Sequence, residues 1–190
     1  MMRVVAGLLG IIVIAAVGFL PDGKPGPTSI TSLDVERYMG LWYAVASIPT
    51  TFERMCVGGT TAHYRLLANG QIEVTNTCLT ADGTKSRVVG RAWVGDPKRP
   101  AELKVSFVGV LGLWLFPGDY WILDLDAEYR YAVVGHPKLR YGWILSRTPT
   151  LADDTLDGIY DRLEEQGYSR TLFVPIDQTA NLSRRLAPGN

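Results

Sequence analysis

Between Trp42 and about Arg147 the chain is written in short runs rich in Val, Ile, Thr, Tyr and Trp. Turn residues interrupt these runs at spacings of roughly 8 to 14, which is an all-β rhythm. Eight strands are predicted, at 41–48, 58–67, 71–79, 86–94, 101–108, 119–125, 130–135 and 141–147. Asn69-Gly70, between HYRLL and QIEVTN, predicts a hairpin. Asp82-Gly83, Gly95-Asp96-Pro97, Pro117-Gly118-Asp119, residues 126–128 and His136-Pro137 mark further reversals. Strand side chains alternate faces, so Ile72, Val74 and Asn76 lie opposite Glu73 and Thr75. Val88, Gly90 and Ala92 likewise oppose Arg87, Val89 and Arg91, and Leu103, Val105 and Phe107 oppose Glu102, Lys104 and Ser106. Trp121 is assigned inward with Leu123 and Leu125, because the opposite parity would bury Asp124. The small residues Gly90 and Ala92 on the apolar face leave room for a cavity, or mark a bend at a barrel corner.

The periodicity changes after residue 150. Leu156, Ile159, Tyr160 and Leu163 recur at helical spacing, with Asp157, Asp161, Arg162 and Glu164 on other faces. Thr150-x-x-Asp153 resembles an N-terminal capping arrangement, and Gly167 falls where a C-terminal cap belongs. A single apolar stripe predicts a helix lying outside the β structure. Residues 169–174 could add a short strand, and 175–190 read as a loose tail. Eight antiparallel strands with one flanking C-terminal α-helix fit an all-β, up-and-down β-barrel whose interior holds one small ligand. A β-sandwich is the structural alternative.

Residues 4–20 form an uncharged apolar run preceded by MMR, the layout of a signal peptide over 1–18 with Ala16-Val17-Gly18 as the cleavage site. An uncleaved anchor is the alternative. Residues 19–32, with the Pro-rich PDGKPGPTSITS stretch, read as a linker, so the domain is expected to begin near Leu33 and run to 178, with 179–190 as flexible tail. The 190 residues carry 19 Lys plus Arg against 19 Asp plus Glu, a neutral balance that argues against nucleic acid as a partner. Loss of the first 18 residues removes Arg3 and leaves a charge of −1.

Cys56 and Cys78 are the two cysteines. In an exported protein an even pair reads first as a disulfide. With a two-residue turn at Asn69-Gly70, Cys78 faces about residue 61, so a bridge requires the segment after Pro49 to fold back over the third strand. Two cysteines without a nearby His pair make a poor zinc site, and no metal or cofactor is expected. No G-x-S-x-G, HExxH, CxxC or phosphate-loop pattern occurs, which leaves no residue set for an enzyme. His63 alternates with Tyr64, so one of the two points inward; His136 sits in a turn.

Three motifs in order make the reading specific. Gly40-Leu41-Trp42-Tyr43 at the first strand, Asp126 to Tyr129 at a later turn and Ile144-Leu145-Ser146-Arg147 ending the eighth strand resemble the signature of the lipocalin family. Over residues 33–178 the similarity is nearest to its bacterial and apolipoprotein D-like branch, as in YMGLWYAVASIPTTFER and DYWILDLDAEYRYAVVG. That resemblance implies a structural role for Gly40, Trp42, Asp126, Tyr129 and Arg147. The Arg147 guanidinium would lie across the Trp42 indole at the closed end, a cation–π contact of about 0.5 to 2 kcal/mol, with Leu33 to Met39 plugging the same end. It also implies a pocket containing Tyr64, Asn76 and Trp143, to which parity adds Val74, Phe107 and Trp121. Relatives in this branch often carry both cysteines, which supports the disulfide.

The implied function is binding of a fatty acid, lysophospholipid or similar hydrophobic small molecule, connected with cell-envelope maintenance, by an exported periplasmic, envelope-associated or secreted protein. Many bacterial relatives carry a lipid-accepting cysteine in the leader; this chain has none there. Residues 108–116 (VGVLGLWLF) are unusually apolar for a connection and could form a lid, a membrane contact or a dimer contact, or simply longer strands packed inward. The second expectation is an envelope-attached interaction protein with an uncleaved anchor that uses this loop. The protein is expected to be a monomer or a homodimer.

Overall fold

The computed structural model describes residues 26–179. The leader over 1–18 and the tail beyond 179 lie outside the described residues. Eight antiparallel strands close into a barrel: β1 (Gly40–Ser47), β2 (Cys56–Leu66), β3 (Ile72–Thr80), β4 (Lys85–Val94) and β5 (Glu102–Ser106), followed, after the small hairpin β6 (Val108–Val110) and β7 (Leu113–Leu115), by β8 (Gly118–Leu125), β9 (Tyr131–Gly135) and β10 (Gly142–Ser146). Sequential pairing runs around the ring and β10 returns to β1, with Tyr43 opposite Ser146 and Ala44 opposite Leu145. The barrel, rather than the sandwich, is therefore the fold.

Two apolar layers follow from the strand alternation, interrupted in β1 by a bulge between Ala44 and Ala46. Residues such as Trp42, Ala44, Tyr64, Val74, Leu103, Ile122, Val134 and Leu145 fill the barrel interior. The opposite faces of β1, β8, β9 and β10 pack Ala46, Leu123, Val133 and Ile144 against Ile159 and Leu163 of helix α2 (Asp153–Glu165). The helix ends as its glycine predicts. Gly167 has φ +89°, its N–H donates to Glu164 O, and Tyr168 N–H donates to Leu163 O, the paired bonds of a Schellman motif. Its start differs from expectation: Ala152 is the cap residue and makes no side-chain cap bond, while Thr150 lies outside the helix and lends its carbonyl to Thr148 Oγ1.

Bulges account for the other differences. The β8–β9 register slips between Ile122 and Asp124, so Leu123 and Asp124 both face outward and alternation is broken. Asp124 then pairs with Arg162 of α2 at 2.8 Å. Trp121 consequently joins the layer beneath the helix, and Tyr120 and Ile122 take the interior positions. The inward assignment of Trp121 is thus corrected; it assumed unbroken alternation between 121 and 125. The β2–β3 turn is also not the two-residue form, because Leu67 N donates to Gln71 O across three residues, with Gly70 at φ +79°. Register shifts between Cys56, Gly58 and Thr61 then bring Cys56, still within β2, to a Cα–Cα distance of 5.6 Å from Cys78, and the two form a disulfide. No loop has to fold back over β3.

Both ends of the domain are more firmly attached than composition implies. Ile30 N donates to Ile122 O and Ser29 Oγ to Glu102, although both residues read as linker. A 3-10 turn at Arg170–Leu172 and the two-residue strand β11 (Val174–Pro175) follow α2. The supposed tail continues with Gln178, buried and donating from Nε2 to Ala44 O and Thr60 O.

Candidate ligand-binding site

One barrel end is closed by the motif residues. Helix α1 (Val35–Tyr38) crosses it, capped by Asp34, whose side chain accepts from Arg37 N. Fully buried Trp42 donates from Nε1 to Tyr38 O at 2.8 Å. The Arg147 guanidinium lies 3.7 Å from the centre of the Trp42 ring and donates to Leu41 O and Arg37 O, both at 2.8 Å. Gly40 has φ +93°, and a Cβ there would stand 3.5 Å from Arg147 Nη1; the left-handed conformation is what makes glycine the fitting residue. Asp126 accepts from the backbone N–H groups of Glu128 and Arg130 and from the Arg130 side chain. The Arg130 guanidinium holds the Asp126 carboxyl down at about 2. Tyr129, at φ +59°, accepts from Asp34 N and carries Arg37 4.3 Å over its ring. All five motif residues belong to the closed end.

Toward the other end lies a cavity of about 630 Å³, within the range of small-molecule sites. Tyr64, Val74, Asn76, Phe107 and Trp143 all line it, and Trp121 does not. Tyr64 and Tyr120 form its floor, with Tyr38 beneath them. The Tyr120 hydroxyl lies 2.8 Å from that of Tyr64 and 2.8 Å from that of Tyr38, so α1, β2 and β8 each contribute one ring. Burial pushes the Tyr64 hydroxyl up to about 12 and raises Tyr38 and Tyr120 as well. The three are therefore protonated donors at neutral pH. Two contacts use two of the three protons, which leaves one O–H for a further acceptor. Below them the remaining space is a void of about 10 Å³.

Higher on the wall, Asn76 of β3 sits opposite Ala62 and Val88. Its Oδ1 is buried and has no hydrogen-bond partner among the described residues. Such an atom costs about 1 to 3 kcal/mol unless something pairs with it. The mouth is aromatic and acidic. Trp143 Nε1 donates to Glu53 Oε1 at 3.1 Å, Thr50 donates to Glu53 Oε2, and Phe52 and Tyr141 pack beside Trp143 with ring centroids at 6.4 and 5.2 Å. Asp119, also lining the cavity, is paired with Lys104.

The sequence reading missed Tyr120, Tyr38 and Glu53 as parts of the site. None of the three had a usable signal: an outward Asp124 sends Tyr120 outward as well under unbroken alternation, and only the bulge turns Tyr120 inward. Gly90 faces inward as expected but does not create the cavity: a Cβ there would be 2.6 Å from Phe107 Cδ1, so the Phe107 ring occupies that space. The segment 108–116 is a hairpin at the mouth, with Leu111 fully exposed and Phe116 83% exposed. The segment is a separate two-stranded hairpin and not a continuation of the barrel strands packed inward, although Val108 and Phe116 reach the cavity lining.

The Lipocalin-like domain family model matches residues 33–178. Temperature-induced lipocalin-1 of Arabidopsis thaliana is 39% identical over 142 residues, covering 73% of this chain and 76% of that protein. Outer membrane lipoprotein Blc of Escherichia coli K12 is 35% identical over 179 residues, 90% and 97% of the two chains. Apolipoprotein D of Mus musculus is 35% identical over 162 residues, 81% and 82%. Among solved structures, insecticyanin from the tobacco hornworm Manduca sexta superposes with a TM-score of 0.65 at 19% identity, covering 81% of this chain and 85% of that one, a likeness of fold alone.

Proposed function

Because this chain belongs to the lipocalin family, we propose that it carries or stores a single-chain lipid, such as a fatty acid, a lysophospholipid or a similar amphiphile, in the barrel. The observation that carries the reading is the 630 Å³ cavity, closed at one end by Trp42 and Arg147 and walled by Ala44, Val74, Val105, Val134 and Leu145. Each methylene buried there contributes about 0.8 kcal/mol, so chain length governs affinity, and Tyr64, Tyr120 and Asn76 orient whatever polar group enters. Tyr64, Val74, Asn76, Phe107 and Trp143 are the proposed contact residues. The role is binding rather than catalysis.

An exported, envelope-associated location is supported by the Cys56–Cys78 disulfide, which persists in oxidising compartments, and by the outer membrane lipoprotein among its relatives. Maintenance of the cell envelope is the role proposed on that basis. A second reading, contact with a membrane at the barrel mouth, is favoured by the uncharged hairpin over 108–115, where Val108, Val110, Leu111 and Leu113 are all exposed.

Titration with a long-chain fatty acid and with a lysophospholipid, followed by tryptophan fluorescence, tests the main reading. Saturable change is expected, and Trp143→Phe should abolish most of it because Trp143 is the tryptophan lining the cavity among the described residues. Absence of saturable binding across both lipid classes refutes it. Mass spectrometry of lipids co-purified with the exported protein identifies the occupant.

A further inference from the structure

The hairpin at the mouth is strained where it is most exposed. Leu111 and Gly112 form its two-residue turn at φ +50° and +82°, conformations that favour Asn-Gly or Asp-Gly. A leucine there incurs a steric penalty, its Cβ crowding the following carbonyl, and this side chain is fully exposed, so the core gains nothing from it. Phe116 repeats the combination, at φ +53° and with its ring mostly exposed. Strain beneath exposed apolar side chains calls for a contact outside the chain. Charge surrounds the hairpin on three other segments of the rim. Arg54 lies between the lining residues Glu53 and Met55, Lys85 precedes the lining residue Ser86, and Lys138 and Arg140 precede the lining residue Tyr141. All four cations are exposed, and none has an ion-pair partner among the described residues. Asp119 is neutralised by Lys104. Glu53, which accepts from Trp143 and Thr50, and Asp82, held by Thr80 and Thr84, are the other carboxylates of these segments, so the rim is basic although the whole chain is neutral.

We propose, resting on the membrane-contact reading above, that the barrel mouth docks on a bilayer surface that carries anionic lipids. Leu111 and Leu113 enter the boundary between headgroups and acyl chains, where exposed apolar side chains are buried. Arg54, Lys85, Lys138 and Arg140 meet the acidic headgroups around them. The basic collar decides the occupant. A second copy packed tip to tip would bring the same four cations against one another, and a zwitterionic surface would leave them unanswered. Docked in this way, the cavity opens onto the bilayer, because Phe52, Met55, Val108 and Phe116 are exposed at the rim and also line the cavity. A single-chain lipid then passes along apolar side chains between membrane and barrel with little of its chain in water.

Flotation of the full-length exported protein with vesicles of phosphatidylcholine, either pure or mixed with phosphatidylglycerol, tests both parts. Binding to the mixed vesicles is expected to be at least about tenfold tighter and to weaken as salt rises. Lys138→Gln combined with Arg140→Gln should cut that preference at least about fivefold. Leu111→Asn suits the left-handed turn, so its urea midpoint should be equal or higher, while binding to the mixed vesicles should weaken at least about threefold. Equal binding to the two vesicle types, or a preference unmoved by the double charge variant, overturns the anionic selection and leaves membrane contact standing. Binding unmoved by Leu111→Asn, or no binding to either vesicle, overturns the membrane-contact reading and the proposal with it. A dimer that Leu111→Asn converts to a monomer in size-exclusion chromatography, without vesicle binding, assigns the tip to a second copy and overturns the proposal as well.

Discussion

Replacing Arg147 by Met tests whether the closed end holds the barrel together. The guanidinium contributes a cation–π contact with Trp42 at 3.7 Å, worth about 0.5 to 2 kcal/mol. It also makes two charge-assisted hydrogen bonds to Leu41 O and Arg37 O, each worth about 1.5 to 3 kcal/mol when well protected. Arg147 is half-buried, so water can replace part of both bonds, and the terms are not additive. The expected net loss is about 3 kcal/mol. For a domain of this size that corresponds to a Tm lower by about 6 to 12 °C. Urea unfolding monitored by circular dichroism should show a lower midpoint with an unchanged slope, since the surface exposed on unfolding is the same. Arg147→Lys should recover less than half the loss, because an ammonium cannot stack on the indole while forking to two carbonyls. A loss under about 1 kcal/mol for the Met variant would show that β1, β10 and α1 are held by apolar packing alone.

Three further outcomes are expected. Reducing the Cys56–Cys78 bridge, which spans 22 positions, should cost about 3 kcal/mol by loop-closure entropy; a urea midpoint unchanged by reductant refutes this. The Asp126 carboxyl titrates at about 2 in the fold because Arg130 bonds it, against about 3.9 when unfolded. Its stabilisation is therefore fully present above about pH 4 and lost as pH falls toward about 2. Asp126→Asn should flatten the acid limb of a stability–pH curve, and an unaltered limb contradicts the assignment. Gly90→Ala should destabilise by about 1 to 3 kcal/mol through overpacking, because the new Cβ would lie 2.6 Å from Phe107 Cδ1 and 2.5 Å from Ser106 O; a neutral or stabilised variant in the same urea assay refutes it.

The candidate site was partly legible in the sequence. Val74 and Asn76 could be placed on the inner face because β3 keeps regular alternation through Ile72–Thr80; Tyr64 came from the family resemblance, since a two-residue turn would set it opposite Thr75 and only the three-residue turn puts it opposite Val74. Trp121 could not be placed correctly, since a bulge moves every residue on one side of it to the other face without leaving a marker in composition. Glu53 entered the site through a loop, where no period applies.

Strand number, the outer helix and its Gly167 stop were determined by the sequence itself, because they depend on local periodicity and on backbone conformations few residues tolerate. The two cysteines, read with the leader-like apolar run, likewise pointed to a disulfide by composition. Only the tertiary structure decided how they meet, through the register shifts between Cys56 and Thr61. It alone assembled the tyrosine floor, whose hydroxyls come from residues 82 and 56 positions apart, and it alone put Glu53 beside Trp143, 90 positions away. Ring closure brings such residues together by geometry shared across the whole barrel, and no short stretch of the chain encodes that geometry.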